Sequence, residues 1–280
     1  MKPCAFEMLR PRELAEALEL LEKHGDDARL IAGGQSLVPM MNLRMVAPAI
    51  LIDLNTVNDL SGVRRDGDAI RIGAMTRQQS LLDNELIRQH VPLMAEAVRH
   101  IGHYSTRSRG TVGGSLANAD SSSELALVAV TLSADLTIRS ATQARTIAAQ
   151  DFFLGSLKTS LEPTEILVEL VVAIASEGSK IAFREHARRH GDFATASAAA
   201  QLSPKEGILR AGLGAVGPVP VACRRIQDAF RRGSLLAELD DVIAAEIAEV
   251  DAISDVHTGA AYRRKLAAVC LADSVRELIA

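Results

Sequence analysis

The stretch ARLIAGGQSLVPMM (residues 28–41) decides how the chain is read. An apolar, strand-like run ends abruptly in Gly33 and Gly34, followed by Gln35 and Ser36. Glycine has no Cβ and tolerates positive φ, so a ligand can touch the backbone there. Successive backbone N–H groups in such a turn converge on an anion, and a following helix adds its positive end. A partial echo, RGTVGGSLANAD, occupies residues 109–120. Two such loops could grip the two phosphates of one pyrophosphate, with Ser36, Thr111 and Ser115 as hydroxyl donors. A single Gly-Gly is more often just a tight turn. Neither loop matches G-x-G-x-x-G or the P-loop, and GQSLV is not a G-x-S-x-G elbow. On local pattern alone the loops point to a nucleotide carrying a diphosphate.

Outward from this stretch, the 280 residues suit one large or two modest domains, and 48% apolar content marks a globular chain. A net charge of −4, two Tyr and no Trp argue against nucleic-acid binding. Cys4, Cys223 and Cys270 lie far apart with no C-x-x-C, so no zinc or iron–sulfur signature is present. They read as free thiols of a reducing compartment. The beginning of the chain has no apolar core of a signal peptide, and residues 166–175 are too short to span a bilayer. A cytoplasmic protein is expected.

Apolar spacing predicts a helix over residues 11–24, with Pro11 in its first turn and Gly25 just past its end. Strands are expected over 28–32 and 49–57, with a short helix between. Residues 62–76 read as a hairpin around Asp66-Gly67. A helix over 83–102, another over 121–134, a strand–turn–strand over 134–153 and a buried strand over 165–175 follow. SEGSK (176–180) is a candidate boundary. Beyond it, antiparallel strands turn at Pro204 and Gly207, and the stretch from Leu235 is mostly helical. His186 and His190, four apart, would share a helical face; lacking a completing carboxylate, neither they nor His100 and His103 form a metal signature.

Three segments in order, AGGQSLVPMMNLRMVAPAILIDLN, IGHYSTRSRGTVGGSLANADSSSEL and FREHARRHGDFA, resemble the flavoprotein (medium) subunits of molybdenum hydroxylases. That group includes carbon monoxide dehydrogenase and multi-subunit relatives of xanthine dehydrogenase. The resemblance covers almost the whole chain. It implies an α+β fold: a PCMH-type two-part FAD-binding domain over 1–176, with subdomains of about 1–57 and 58–176, then a smaller α+β C-terminal domain over 177–280, an antiparallel sheet with helices. It implies non-covalent FAD. The molybdenum cofactor would sit in a large partner subunit and two iron–sulfur clusters in a small one, the three forming a heterotrimer or a dimer of heterotrimers. Electrons would pass from those centres through FAD to an external acceptor.

Carried over by motif, Ala32, Gly33, Gly34, Gln35, Ser36 and Leu37 would form the first pyrophosphate loop, and Thr111, Val112, Gly113, Gly114 and Ser115 the second. Ile101, Gly102, Ile166 and Leu167 would line the flavin pocket, Asn118 and Glu124 would reach ribityl or adenosine hydroxyls, and Arg184, Asp192 and Phe193 would lie near the isoalloxazine ring. From the residues alone, Ile101, Ile166 and Leu167 are equally ordinary core positions, and Ser121 with Glu124 reads as a capping box. Glu124 stands where xanthine dehydrogenase relatives commonly carry Asp, and Phe193 where carbon monoxide dehydrogenases often carry Tyr. Two other readings stay open: a self-contained flavin oxidoreductase of the vanillyl-alcohol oxidase type, and a flavin-free scaffold subunit.

Overall fold

The computed structural model describes residues 2–280. Three units follow one another along the chain, each built on its own sheet.

The first unit runs β1 (Glu7–Leu9), α1 (Leu14–His24), β2 (Ala28–Ile31), α2 (Leu37–Asn42) and β3 (Ile50–Asp53). Its sheet has the order β1-β3-β2 and is wholly parallel. Helix α1 starts three residues later than expected, because residues 12 and 13 bend outside it. It ends at Gly25, whose φ of +49° suits glycine. Ala17, Leu18 and Leu21 bury one stripe of α1 against Ala28, Ile52 and Leu54. The strand expected over 49–57 stops at Asp53, where the Asp53 carboxylate accepts from the Asn55 amide and turns the chain into a short 3₁₀ segment. Both β2 and β3 therefore end at the same edge, each releasing a polar loop beyond a carboxyl end, where open parallel sheets characteristically bind ligands.

The second unit begins with the hairpin β4 (Val63–Asp66) and β5 (Ala69–Gly73). Asp66 pairs with Ala69, so the two loop residues are Gly67 and Asp68, one later than expected, with Gly67 at φ +58°. An unexpected helix α3 (Gln78–Asp83) comes next, and the single helix expected over 83–102 is two, α4 (Glu85–His90) and α5 (Pro92–Val98). Asn84 caps α4 through its side chain, and Pro92 starts α5 at its first turn. Then come α6 (Tyr104–Arg107), α7 (Val112–Asn118), α8 (Glu124–Thr131), β6 (Asp135–Arg139), β7 (Ala144–Ala148), α9 (Ala149–Phe152), the small pair β8 (Phe153–Gly155) and β9 (Lys158–Thr159), and β10 (Ile166–Ala173). The five strands form an antiparallel sheet in the order β4-β5-β10-β6-β7. Central strand β10 carries one charge, Glu169, which is buried and held by Arg64 at 2.6 Å and Arg71 at 2.7 Å. Every residue of α8 is buried.

The third unit is the antiparallel sheet β11 (Lys180–Ala187), β12 (Ala194–Ser203), β13 (Ile208–Gly214) and β14 (Val221–Ala222), followed by α10 (Arg224–Arg231), α11 (Leu235–Glu249) and α12 (Ala260–Ile279). All ten residues of β12 are buried. Its run of alanines lets α12 and α8 approach closely. Strand β11 corrects the helical reading of His186 and His190: His186 lies on the strand and His190 in the turn after it, so they share no helical face. Helix α10 falls between the expected strands and the expected helical stretch from Leu235. Its buried residues are only Ile226 and Ala229, among four charges. No helix among the described residues is long and apolar enough to cross a membrane.

Candidate functional site

The two glycine loops meet across the seam between the first and second units. Gly33 is buried against loop two: a Cβ there would lie 2.8 Å from Gly110 Cα, 2.9 Å from the Arg109 carbonyl carbon, and closer still to its oxygen. Gly34 has φ +71° and so needs glycine for its backbone conformation. A Cβ on Gly114 would lie 3.4 Å from the Ala32 side chain.

The loops are chemically unequal. Among the described residues, the amides of Gly34, Gln35 and Ser36 have no acceptor within the protein. In loop two the amides from Val112 to Ser115 are committed. Val112 N–H donates to Thr76 O at 3.0 Å, Gly113 to Ala74 O at 2.7 Å, Gly114 to Thr111 Oγ1 at 3.1 Å and Ser115 to Thr111 O at 3.1 Å. The expectation that both loops work as amide nests is thus met by loop one, whereas the Val112–Ser115 amides of loop two are turned to protein acceptors. Gly113 and Gly114 belong to α7 and are small because of what they touch. A Cβ on Gly113 would fall 2.9 Å from Ala74 Cα, and one on Gly114 2.6 Å from Thr111 Oγ1. Loop two is a wall, and loop one carries the free donors.

A groove of about 520 Å³ follows loop one, lined by Ile31, Gly33, Gly34, Gln35, Val38 and Asn55, with Arg10, Asp53 and Arg109 at its edges. Arg109 is the sole contribution of loop two to this groove. Beside it lies a polar recess of about 240 Å³ with Thr76, Arg77, Ser80 and Asn84, and Asn55 lines both. The Arg77 guanidinium donates to Arg109 O and, at 2.6 Å, to Asn55 Oδ1. Partial burial and the neighbouring Arg109 charge lower its pKa from the usual arginine value. Arg10 and Arg109 against Asp53, beside free amides, form a donor set suited to a multiply charged anion. Sequence reasoning missed Arg10, Asn55, Arg77 and Arg109. The available signal was Asp53 and Asn55 lying just beyond the apolar strand at a parallel carboxyl edge.

The other expected residues spread outward from the seam. Asn118 ends α7 and is half-buried. Glu124 opens α8, and its position is tied to loop two by the 2.9 Å Ser115 Oγ–Ser123 Oγ contact. The capping-box expectation is corrected: Ser123, not Ser121, caps α8, its hydroxyl accepting from Ala126 N–H. The Glu124 carboxyl is pushed up to about 8 by burial, with Glu185 and Asp120 adding repulsion. Glu185, on β11, is pushed up to about 7 by burial. Ile101 is buried and Gly102 turns at φ +42°, and Arg107 donates to both carbonyls at 2.9 and 3.2 Å. Ile166 sits in the core of the first unit and Leu167 in that of the second, neither reaching the groove. Arg184 pairs with Glu277 on α12. Asp192 and Phe193 occupy the β11–β12 turn, which rests on the 101–103 segment. His190 stacks on His103 at 6.0 Å, and a Cβ on Gly191 would lie 2.7 Å from the His103 ring. Phe193 is 75% exposed and Tyr104 66%.

Comparison with known proteins places this architecture. Residues 4–172 match the family described as FAD binding domain in molybdopterin dehydrogenase, and residues 181–278 match the CO dehydrogenase flavoprotein C-terminal domain. The chain is 38% identical over 225 residues to the caffeine dehydrogenase subunit beta of Pseudomonas sp. (strain CBB1), covering 79% of this chain and 76% of that one. It is 37% identical over 273 residues to the 6-hydroxypseudooxynicotine dehydrogenase complex subunit alpha of Paenarthrobacter nicotinovorans, covering 95% and 92%. Among solved structures, reconstituted CO dehydrogenase from Oligotropha carboxidovorans superposes with a TM-score of 0.95 at 33% identity, covering 99% of both chains.

Proposed function

Because this chain belongs to the FAD-binding medium subunits of the molybdenum hydroxylase family, we propose a specific division of labour for it. It is the FAD-carrying, electron-transfer subunit of an oxidoreductase. When bound, FAD supplies the redox chemistry, and the protein supplies position and electrostatics. In our reading the electrons arrive from iron–sulfur clusters of a small partner subunit, which draws them from a molybdenum cofactor in a large one, and leave for an external acceptor. The assembly is a cytoplasmic heterotrimer, and this chain divides into units 1–176 and 177–280.

The observation that carries the cofactor assignment is the run of free amides at Gly34, Gln35 and Ser36, the first two on residues that line a groove edged by Arg10 and Arg109. A pyrophosphate fits this donor set. We assign Ala32 to Leu37 to hold it from one side, with Thr111, Val112, Gly113, Gly114 and Ser115 as the opposing wall. Asn118 and Glu124, beyond that wall, serve the hydroxyls of the cofactor. Ile101, Ile166 and Leu167 back the ring end from within the two cores, with Gly102 at the turn beside Ile101. Arg184, Asp192 and Phe193 flank the ring. The exposed aromatic rings of Phe193 and Tyr104, beside the His103–His190 stack, support placing the ring end there.

Titration of the purified chain with FAD and with FMN tests the assignment. FAD is expected to bind tightly and FMN, which lacks the pyrophosphate, far more weakly. Equal affinity for both would remove the pyrophosphate role of the loops. Affinity purification of the tagged chain from its native source tests the assembly, with two further subunits carrying molybdenum and iron as the expected result.

A further inference from the structure

Each glycine loop belongs to a different unit, so their separation is a property of the seam. Loop one is carried by the parallel sheet of the first unit and loop two by the second. The 74–78 segment following β5 runs alongside loop two: Gly113 N–H donates to Ala74 O, Val112 N–H to Thr76 O, and Gln78 N–H to Gly110 O at 2.9 Å, with Arg77 and Thr111 bridged. The backbone of Arg77 is thus fixed to loop two. Its side chain crosses the seam. One guanidinium nitrogen donates to Arg109 O of loop two, the other to Asn55 Oδ1 of the first unit at 2.6 Å. Asn55 in turn donates through Nδ2 to Ala32 O of loop one at 2.9 Å and to Asp53 Oδ1 at 2.5 Å. An unbroken chain of hydrogen bonds therefore links the carbonyl just before Gly110 to the carbonyl just before Gly33.

We propose that Arg77, acting through Asn55, is the positioning residue that sets the spacing of the two loops and so the affinity of the seam for a diphosphate. The inference rests on the FAD reading and extends it to residues outside both glycine motifs. The planar fork of arginine satisfies two acceptors at a fixed angle, which a lysine ammonium cannot reproduce at the same two points. Asn55 is suited to the middle place because it both accepts and donates. Both guanidinium contacts are spent on protein acceptors, so the role is one of geometry.

The test uses the purified chain with FAD and with ADP, which carries the diphosphate and adenosine without the flavin. Arg77→Lys and Asn55→Ala are each expected to weaken FAD and ADP by the same factor, about tenfold or more. The apo melting temperature is expected to stay near that of the wild type. The double variant is expected to lose no more than the larger single loss, because either change cuts the same chain. Full affinity in Arg77→Lys would mean that charge alone matters and would overturn the inference, as would independent, multiplicative losses in the double variant. Loss of FAD with unchanged ADP affinity would overturn it too. Should Arg77→Lys not fold, Asn55→Ala, altered on the opposite side of the seam, decides the matter by the FAD-to-ADP comparison. Failure of the wild type to bind FAD would overturn the cofactor assignment together with this inference, whereas wild-type binding with unaffected variants overturns the inference alone.

Discussion

Gly33→Ala is the smallest change that forces the two loops apart. The added methyl would sit 2.8 Å from Gly110 Cα and 2.9 Å from the Arg109 carbonyl carbon, and all of the atoms it meets are backbone. No side chain can rotate away, so restoring ordinary contact opens the seam by about 0.6 Å or more. Overpacking of this kind costs about 1–3 kcal/mol. If the strain is relieved by opening the seam, cofactor binding must close it again, and FAD affinity falls by about 5- to 150-fold.

Two comparisons isolate the cause. Gly178→Ala introduces alanine at φ +80° with nothing within 4 Å, so it carries backbone strain without collision. It is expected to lower stability by about 1–2 kcal/mol and leave FAD affinity unchanged. Gly34→Ala combines φ +71° with a nearest contact of 3.1 Å to a Val38 methyl, and it perturbs the free-amide loop from within. The assay is a fluorescence titration of apo-protein with FAD, alongside thermal unfolding of each apo variant. A folded Gly33→Ala protein that binds FAD within twofold of the wild type would refute the reasoning, because the collision would then have been absorbed without moving either loop.

Three further outcomes follow from the site's surroundings. Glu124 and Glu185, raised to about 8 and about 7, keep their protons when folded and lose them near pH 4.5 when unfolded, so their contribution to stability is complete below about pH 4.5 and is lost as pH rises towards 8. The denaturation midpoint should fall across that window, by at most about 1.4 kcal/mol per pH unit for each proton, and Glu124→Gln should flatten the profile; a wild-type midpoint constant from pH 5 to 8 counts against this. Cys223 and Cys270 are buried, the first raised well above the ordinary thiol value and the second to about 11, while Cys4 is exposed. Iodoacetamide at pH 8 should therefore label one thiol in the native chain and three in urea, as counted by mass spectrometry. Arg184 shares its charge with Glu277; if it flanks the flavin, Arg184→Ala should lower the flavin midpoint potential and Glu277→Gln raise it, and potentiometry showing neither shift would move Arg184 away from the ring.

Most of the architecture could be read from periodicity because local and tertiary preferences agree there. The stripe of α1, the hairpin at Gly67, the apolar run of β10 and the turn between β12 and β13 each carry their own signal. The misreadings fall where that agreement breaks. One long apolar-rich segment became α4 and α5 because Pro92 interrupts it, and α10 was obscured by charge. Strand β11 escaped notice because its second half, Arg184 to Ala187, is mostly polar and carries no apolar face.

The site was legible only in part, for a different reason. A glycine required by φ and a glycine required by a neighbour look identical in a sequence. Gly34 is of the first kind, while Gly33 and Gly113 are of the second, small because Arg109–Gly110 and Ala74 press against them. Reading both motifs as amide nests assigned loop two a task that its Val112–Ser115 amides, already bonded within the protein, cannot perform. The groups that join the loops, Asn55 and Arg77, lie outside both glycine motifs, and their meaning arises when residues 32, 55, 77 and 109 are folded together. A cofactor site divided between two units has its donors written locally and its spacing written across the seam. Substitutions at the seam should therefore weaken the cofactor without touching it, and those in loop one should remove the contacts themselves.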